Sequence, residues 1–81
     1  MKANKFVKEN GIEKCKRILD DLTDQGHTGD FYKELKRLIE SHELVKSYGG
    51  MDQTGFFADM ESNDILAARM YEAIADVESC Q

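Results

Sequence analysis

The stretch from Phe31 to Gly50 leaves this chain little choice of fold. Phe31, Leu35, Leu38, His42 and Val45 recur at alternating steps of four and three, a spacing that lines one side of a helix. Most of the intervening residues are Lys, Glu, Arg and Ser, which belong in water. Gly49-Gly50 then stops the segment, because glycine enters the left-handed turn that closes a helix at little steric cost. A long striped helix with a hard stop predicts helix packing.

The other segments agree. Lys5 to Asn10 reads as a short helix broken by Gly11. A second helix begins at Ile12, with Ile12, Cys15, Ile18, Leu19 and Leu22 on one face, and ends near Asp24 to Gly26. Thr28 or Asp30 is the expected cap of the long helix, since either side chain can accept an orphan backbone N–H. Met51 to Glu61 has the weakest signal, because Gly55 interrupts it. A last helix starts after Ser62 or Asn63, with Ala67, Met70, Ile74 and Val77 as its seam. No run alternates as a strand would. The expected fold is all-α: one domain, residues 1–81, a small bundle of three main helices plus a short N-terminal one.

Eighty-one residues with 41% hydrophobic content make a core near the lower limit of self-sufficiency. A homo-oligomer is therefore expected, with Leu35, Leu38, His42 and Val45 as its seam. His42 in that seam would fix helix register, as a lone polar residue does in coiled coils. Cys15 and Cys80 have no CxxC spacing and suit free thiols in a reducing compartment. No apolar run approaches the roughly 20 residues of a membrane span. The start Met1-Lys2-Ala3-Asn4-Lys5 shows no signal-peptide pattern. The expected location is the cytoplasm.

Net charge is −5 and uneven. Residues 1–17 hold six basic residues against Glu9 and Glu13, net +4. Residues 47–81 hold Arg69 alone against seven acids, net −6. An acidic surface suits a basic partner, and a basic end could touch phosphate. A DNA-binding reading would use Lys8, Lys14, Lys16 and Arg17, but the helix carrying the last three offers no Asn or Gln for base edges. The sequence pI near 4.9 is also opposite to the usual DNA-binding footprint.

Catalytic chemistry finds no constellation. His27 and His42 lack the companion ligands a metal needs. The serines sit in no nucleophile motif, and Gly49-Gly50 lacks the rest of a phosphate loop. No enzyme activity, cofactor or metal is expected. The dense apolar set Tyr48, Met51, Phe56, Phe57 and Met60 is the better functional candidate. It reads as a contact patch, with Asp59 and Glu61 steering a basic partner.

Two phrases carry a resemblance. Phe6-Val7-Lys8-Glu9-Asn10-Gly11-Ile12-Glu13-Lys14-Cys15-Lys16 is the first. The more specific is Lys36-Arg37-Leu38-Ile39-Glu40-Ser41-His42-Glu43-Leu44-Val45-Lys46-Ser47-Tyr48-Gly49-Gly50. They resemble segments of small early-region or accessory proteins of temperate lambda-like phages and prophages. The likeness covers roughly residues 5 to 52 and decays at Met51-Asp52-Gln53-Thr54-Gly55. It implies a phage setting in the cytoplasm of a bacterial host, in which small helical antirepressors bind a repressor and take it off operator DNA. The expected function is such an antirepressor. The alternatives are an inhibitor of a host or defence protein, or a small DNA-binding regulator using the basic N-terminal segment.

Overall fold

Glycines and one asparagine set the boundaries of the helices. The computed structural model describes residues 2–81, and its elements are α1 (Ala3–Asn10), α2 (Ile12–Asp24), α3 (Asp30–Ser47), α4 (Met51–Met60) and α5 (Asp64–Ser79). Among the described residues there is no strand. The fold is all-α.

The double glycine closes α3 as a Schellman turn. Gly49 N–H donates to Lys46 O at 3.1 Å and Gly50 N–H reaches back to Val45 O at 3.0 Å, so two of the orphan carbonyls are satisfied. Both glycines have positive φ, 99° and 120°, where a side chain would be strained. The end of α2 repeats the pattern, with Gly26 N–H on Thr23 O and His27 N–H on Leu22 O, each at 3.0 Å.

At the helix starts the sequence reading is half corrected. Asn63 caps α5, its Oδ1 accepting from Ile65 N–H at 3.0 Å and Leu66 N–H at 3.2 Å. Neither Thr28 nor Asp30 caps α3. Gly29 occupies that position without a side-chain bond, and Asp30 is the first helical residue. There its carboxylate meets the positive end of the helix dipole, a favourable place without a cap geometry.

The larger correction is α4. Ten residues that read as uncertain form a full helix, so the bundle has four main helices rather than three. Thr54 and Ala58, four apart, are its buried residues. Gly55 faces α5 closely enough that an added Cβ would lie 3.8 Å from Ile74 Cδ1. That is ordinary van der Waals contact, and Gly55 has no positive φ. Gly55→Ala is therefore expected to stabilise the protein by about 0.5–1 kcal/mol, through lost unfolded-state entropy. A rise in the urea midpoint with unchanged slope would show it; a fall would mean that α4 and α5 cannot accept the methyl.

Helix α3 is the spine. Its first half holds one cluster, in which Leu35, Leu38 and Ile39 meet Ala3 and Val7 of α1, Cys15 of α2 and Cys80. Its second half holds another, where Val45 meets Ala73 and Val77 of α5 with Leu44, Met51 and Ile74 at the margin. The expected oligomer seam is thus spent within one chain. Leu35, Leu38 and Val45 are buried by the chain's own helices, so a second copy could reach them only by displacing α1, α2 or α5. His42 is half-buried at the edge, with Nδ1 2.8 Å from Leu38 O.

A polar clamp joins α3 to α5. Arg37 donates twice to Asp76, Nε to Oδ2 at 3.1 Å and Nη2 to Oδ1 at 2.9 Å. The fully buried Ser41 hydroxyl donates to Asp76 Oδ2 at 2.6 Å and accepts from Arg69 Nη1 at 3.2 Å. Glu72 Oε1 lies 3.4–3.5 Å from both guanidinium groups. Asp76 raises the pKa of Arg37 above the ordinary guanidinium value, first by hydrogen bonding and then by charge. These pairings make α5 run back along α3. They put the α4–α5 turn at the end of α5 remote from α1.

Candidate partner-binding surface

Helix α4 turns the usual order of a helix inside out. Its small residues Thr54 and Ala58 face inward, whereas Phe56, Phe57 and Met60 are 59%, 43% and 69% exposed. The cause is geometric. Thr54 and Ala58 share one stripe, Gly55 lies against Ile74, and the bulky side chains one or two positions away must point elsewhere. The start of α5 adds Ile65 at 83% and Leu66 at 37% exposure. Large apolar groups on two neighbouring helices and flanking one turn are an informative departure, because a folded monomer seldom leaves them together in water.

The aromatic rings are loosely joined. Phe56 and Phe57 meet edge to face with centroids 5.8 Å apart, and Phe57 lies 5.5 Å from Tyr48 at a tilt of 40°. Tyr48 is half-buried and supports the patch from behind rather than forming its outer face. Met51 packs against the Val45–Ala73–Val77 cluster and belongs chiefly to the core. Asp59 accepts a hydrogen bond from the Tyr71 hydroxyl. That bond holds the phenol in its protonated form and raises its pKa. Glu61 Oε1 accepts from Asn63 N–H at 3.1 Å, tying it to the α4–α5 turn. Both proposed steering acids therefore have local partners and remain at the rim.

Ile65 and Leu66 were not among the residues read from the sequence. The signal for Ile65 was its row. Ile65, Arg69, Glu72 and Asp76 follow steps of four, three and four, so Ile65 is the one apolar member of an otherwise charged line. Tyr71, 47% exposed, was also missed and lies beside the patch through Asp59.

The rim is acidic. Between residues 47 and 68 the chain carries Asp52, Asp59, Glu61 and Asp64 and no Lys or Arg. At the N-terminal segment two of the cations already have carboxylate neighbours. Lys16 lies 3.7 Å from Glu13 and 3.4 Å from Glu43, and Lys5 lies 4.0 Å from Glu9. Of the basic residues a DNA-binding reading would use, Lys16 is half-buried and held by α2 and α3.

Away from this surface, the buried Ser41 and Asp76 side chains bond to each other. Ser41, the hydroxyl nearest a carboxylate and a guanidinium, is fully buried, so no substrate reaches it. Among the described residues no group of three or more His, Cys, Asp or Glu side chains is placed to hold a metal ion. Among the described residues no helix is long and apolar enough to cross a membrane.

Cys15 and Cys80 are buried free thiols. Burial raises both pKa values above the ordinary 9.0. The Cys80 charge raises Cys15 further and Lys14 pulls it back. Ser79 lowers Cys80 and Asp76 raises it. A folded pKa above the unfolded one contributes stability that is complete below the unfolded value and lost as pH rises through the folded value. Under reducing conditions the unfolding free energy is expected to fall as pH climbs above 9, and less so in Cys15→Ala/Cys80→Ala. Urea titrations across that range give both slopes; equal slopes would remove the thiols from the effect.

Comparison of the chain with protein-family models, with characterised proteins and with solved structures finds no match.

Proposed function

We propose that this protein is a non-enzymatic regulator that binds another protein through the α4–α5 end, and that the partner is a phage repressor. The observation that carries the binding role is the outward set Phe56, Phe57, Met60 and Ile65, with Leu66 and Tyr71 also exposed, in a chain whose other described large apolar residues are buried or half-buried. Aromatic and methionine side chains are enriched at protein interfaces, where a few buried anchors carry most of the binding energy. The acid rim supports a basic partner, since complementary potentials speed and orient encounter. The choice of a repressor rests on the resemblance of residues 5 to 52 to phage accessory proteins.

The mechanism is sequestration. A protein that docks on the DNA-free arrangement of a repressor draws the population away from operator, by as much as its affinities for the two arrangements differ. No bond is made or broken.

The test is affinity capture from a nuclease-treated lysogen lysate, run in parallel with wild type and Phe57→Asp. Recovery of the repressor by wild type and its loss in the variant support the antirepressor reading. Recovery of a host enzyme or defence protein transfers the binding role to inhibition. DNA retained without nuclease, with no protein, favours the basic N-terminal segment as the working surface.

A further inference from the structure

The chain has two cysteines, and the fold brings both to one place. Cys15 lies inside α2 and is fully buried, and Cys80 stands one residue past α5 and is buried too. They are far apart in sequence, yet both pack in the cluster built on Leu35, Leu38 and Ile39, and neither belongs to the cluster around Val45. We infer that Cys15 and Cys80 are a redox latch, a dithiol that closes to an intramolecular disulfide and ties the end of α5 to α2.

The pairing has no competitor within the cluster. Every other residue of the cluster and its margin carries a hydrocarbon side chain, so each sulfur has the other as its one reactive neighbour there. The two thiols also feel each other's charge, since Cys80 adds to the rise in the Cys15 pKa that burial begins. Cys15 is the fixed member, its N–H bonded to Gly11 O at 3.1 Å. Cys80 is the movable one. Its N–H closes a last turn on Val77 O at 3.1 Å, and its Sγ lies 3.9 Å from Ser79 Oγ. A disulfide needs Cα atoms within about 7 Å of each other, and rotation of that one turn adjusts the distance without moving α2 or α3.

The chemistry is thiol–disulfide exchange with a small disulfide, R–S–S–R, as oxidant. Burial raises both thiol pKa values, so neither sulfur is a good nucleophile in the closed fold. Helix ends open at less cost than cores, and opening of the last turn returns Cys80 to water. Its thiolate attacks R–S–S–R, forming a mixed disulfide and expelling RS⁻, which takes a proton from water. The R group keeps the turn from closing again and leaves Cys15 uncovered. The Cys15 thiolate then attacks the Cys80 sulfur and expels the second RS⁻. Two protein thiols are oxidised, and one R–S–S–R is reduced to two R–SH.

Closure fastens the two ends of a long loop, which removes freedom from the unfolded chain. A thiol-rich pool holds the open form and a disulfide-rich pool the closed one. The latch lies where α1 packs, remote from the α4–α5 surface, so it stands or falls independently of the binding role.

The experiment incubates the whole reduced protein with oxidised glutathione, quenches free thiols by alkylation and reads intact mass and proteolytic fragments. The expected product is a monomer lighter by two hydrogens, with Cys15 and Cys80 in one linked fragment. Its urea midpoint is expected about 1–3 M above that of the reduced protein and to return on reduction. Cys15→Ala and Cys80→Ala should stop at a glutathione adduct, with no rise in midpoint. The wild-type measurement needs neither variant to fold well. Wild type that gains two glutathiones, crosslinks between copies, or stays reduced while both thiols react in urea would overturn the latch. A linked product with an unchanged or lower midpoint would overturn it as well, because the bond would then strain the fold rather than fasten it.

Discussion

Leu35→Ala is expected to lower the unfolding free energy by about 2–5 kcal/mol, the range for truncating a fully buried leucine. Leu35 is 0% exposed and shares its cluster with residues from α1, α2 and the C-terminal end. No single neighbour can collapse into the space without leaving another contact, which favours the upper part of that range. A domain of this length has a total stability of about 4–12 kcal/mol. The variant should therefore melt about 8–40 °C lower by the usual conversion for small domains, or fail to fold at ambient temperature. Thermal unfolding followed by circular dichroism at several protein concentrations checks both the size and the cause. A residue of the intramolecular core gives a lowered and concentration-independent midpoint. If Leu35 instead faced another copy, the variant would dissociate while keeping its helicity, and the wild-type midpoint would rise with concentration.

That experiment bears on how much a sequence of this kind discloses. The striped positions of α3 were legible because helical spacing depends only on which residues fall on one side. The same spacing does not say whether a buried side meets the chain's own helices or another chain. Leu35, Leu38 and Val45 looked the same in either case, and their burial by α1, α2 and α5 depends on how the loops fold those helices back. The stop at Gly49-Gly50 and the cap at Asn63 were legible for a different reason, since both are local hydrogen-bond solutions written in adjacent residues.

What local pattern missed came from packing between helices. Residues 51–60 have modest helix propensity, with Thr54 and Gly55 at the centre. They form a helix because Thr54 and Ala58 are buried and Gly55 packs against Ile74. The candidate surface follows from that choice. Phe56, Phe57 and Met60 were legible as a dense apolar cluster, but only the orientation of α4 decides that they point to water while Met51 turns inward. Ile65 was the harder case, since one apolar residue on a charged row carries no periodic signal. It is also the most exposed large apolar residue of the set. Spacing that fails to explain a bulky residue as core is thus a useful pointer to surface function.

Asp76→Ala is the second large effect expected, at about 2–3 kcal/mol of lost stability. Nothing in the sequence around Asp76 sets it apart from the other acids of residues 47–81. It is only 7% exposed, and its burial is tolerable because Arg37, 39 positions away, and Ser41, 35 positions away, supply three hydrogen bonds. Its removal leaves the Ser41 hydroxyl fully buried without its acceptor and the Arg37 guanidinium without the carboxylate that takes two of its hydrogen bonds, with Glu72 alone still beside it. The loss is set below the value for a wholly buried ion pair because the Arg37 side chain is 56% exposed and water takes over part of its solvation. Asp76→Asn should cost less, since an amide oxygen can still accept from Ser41 while the ionic part is lost. A double-mutant cycle of Arg37→Ala and Asp76→Ala by urea unfolding separates pairing from packing, with a coupling of about 1–2 kcal/mol expected. A coupling near zero would mean that Ser41 alone holds the carboxylate. In that case α5 would be fixed on α3 by the apolar contacts of Ala73 and Val77 with Val45, and the guanidinium would be a surface ornament of the fold rather than part of its clamp.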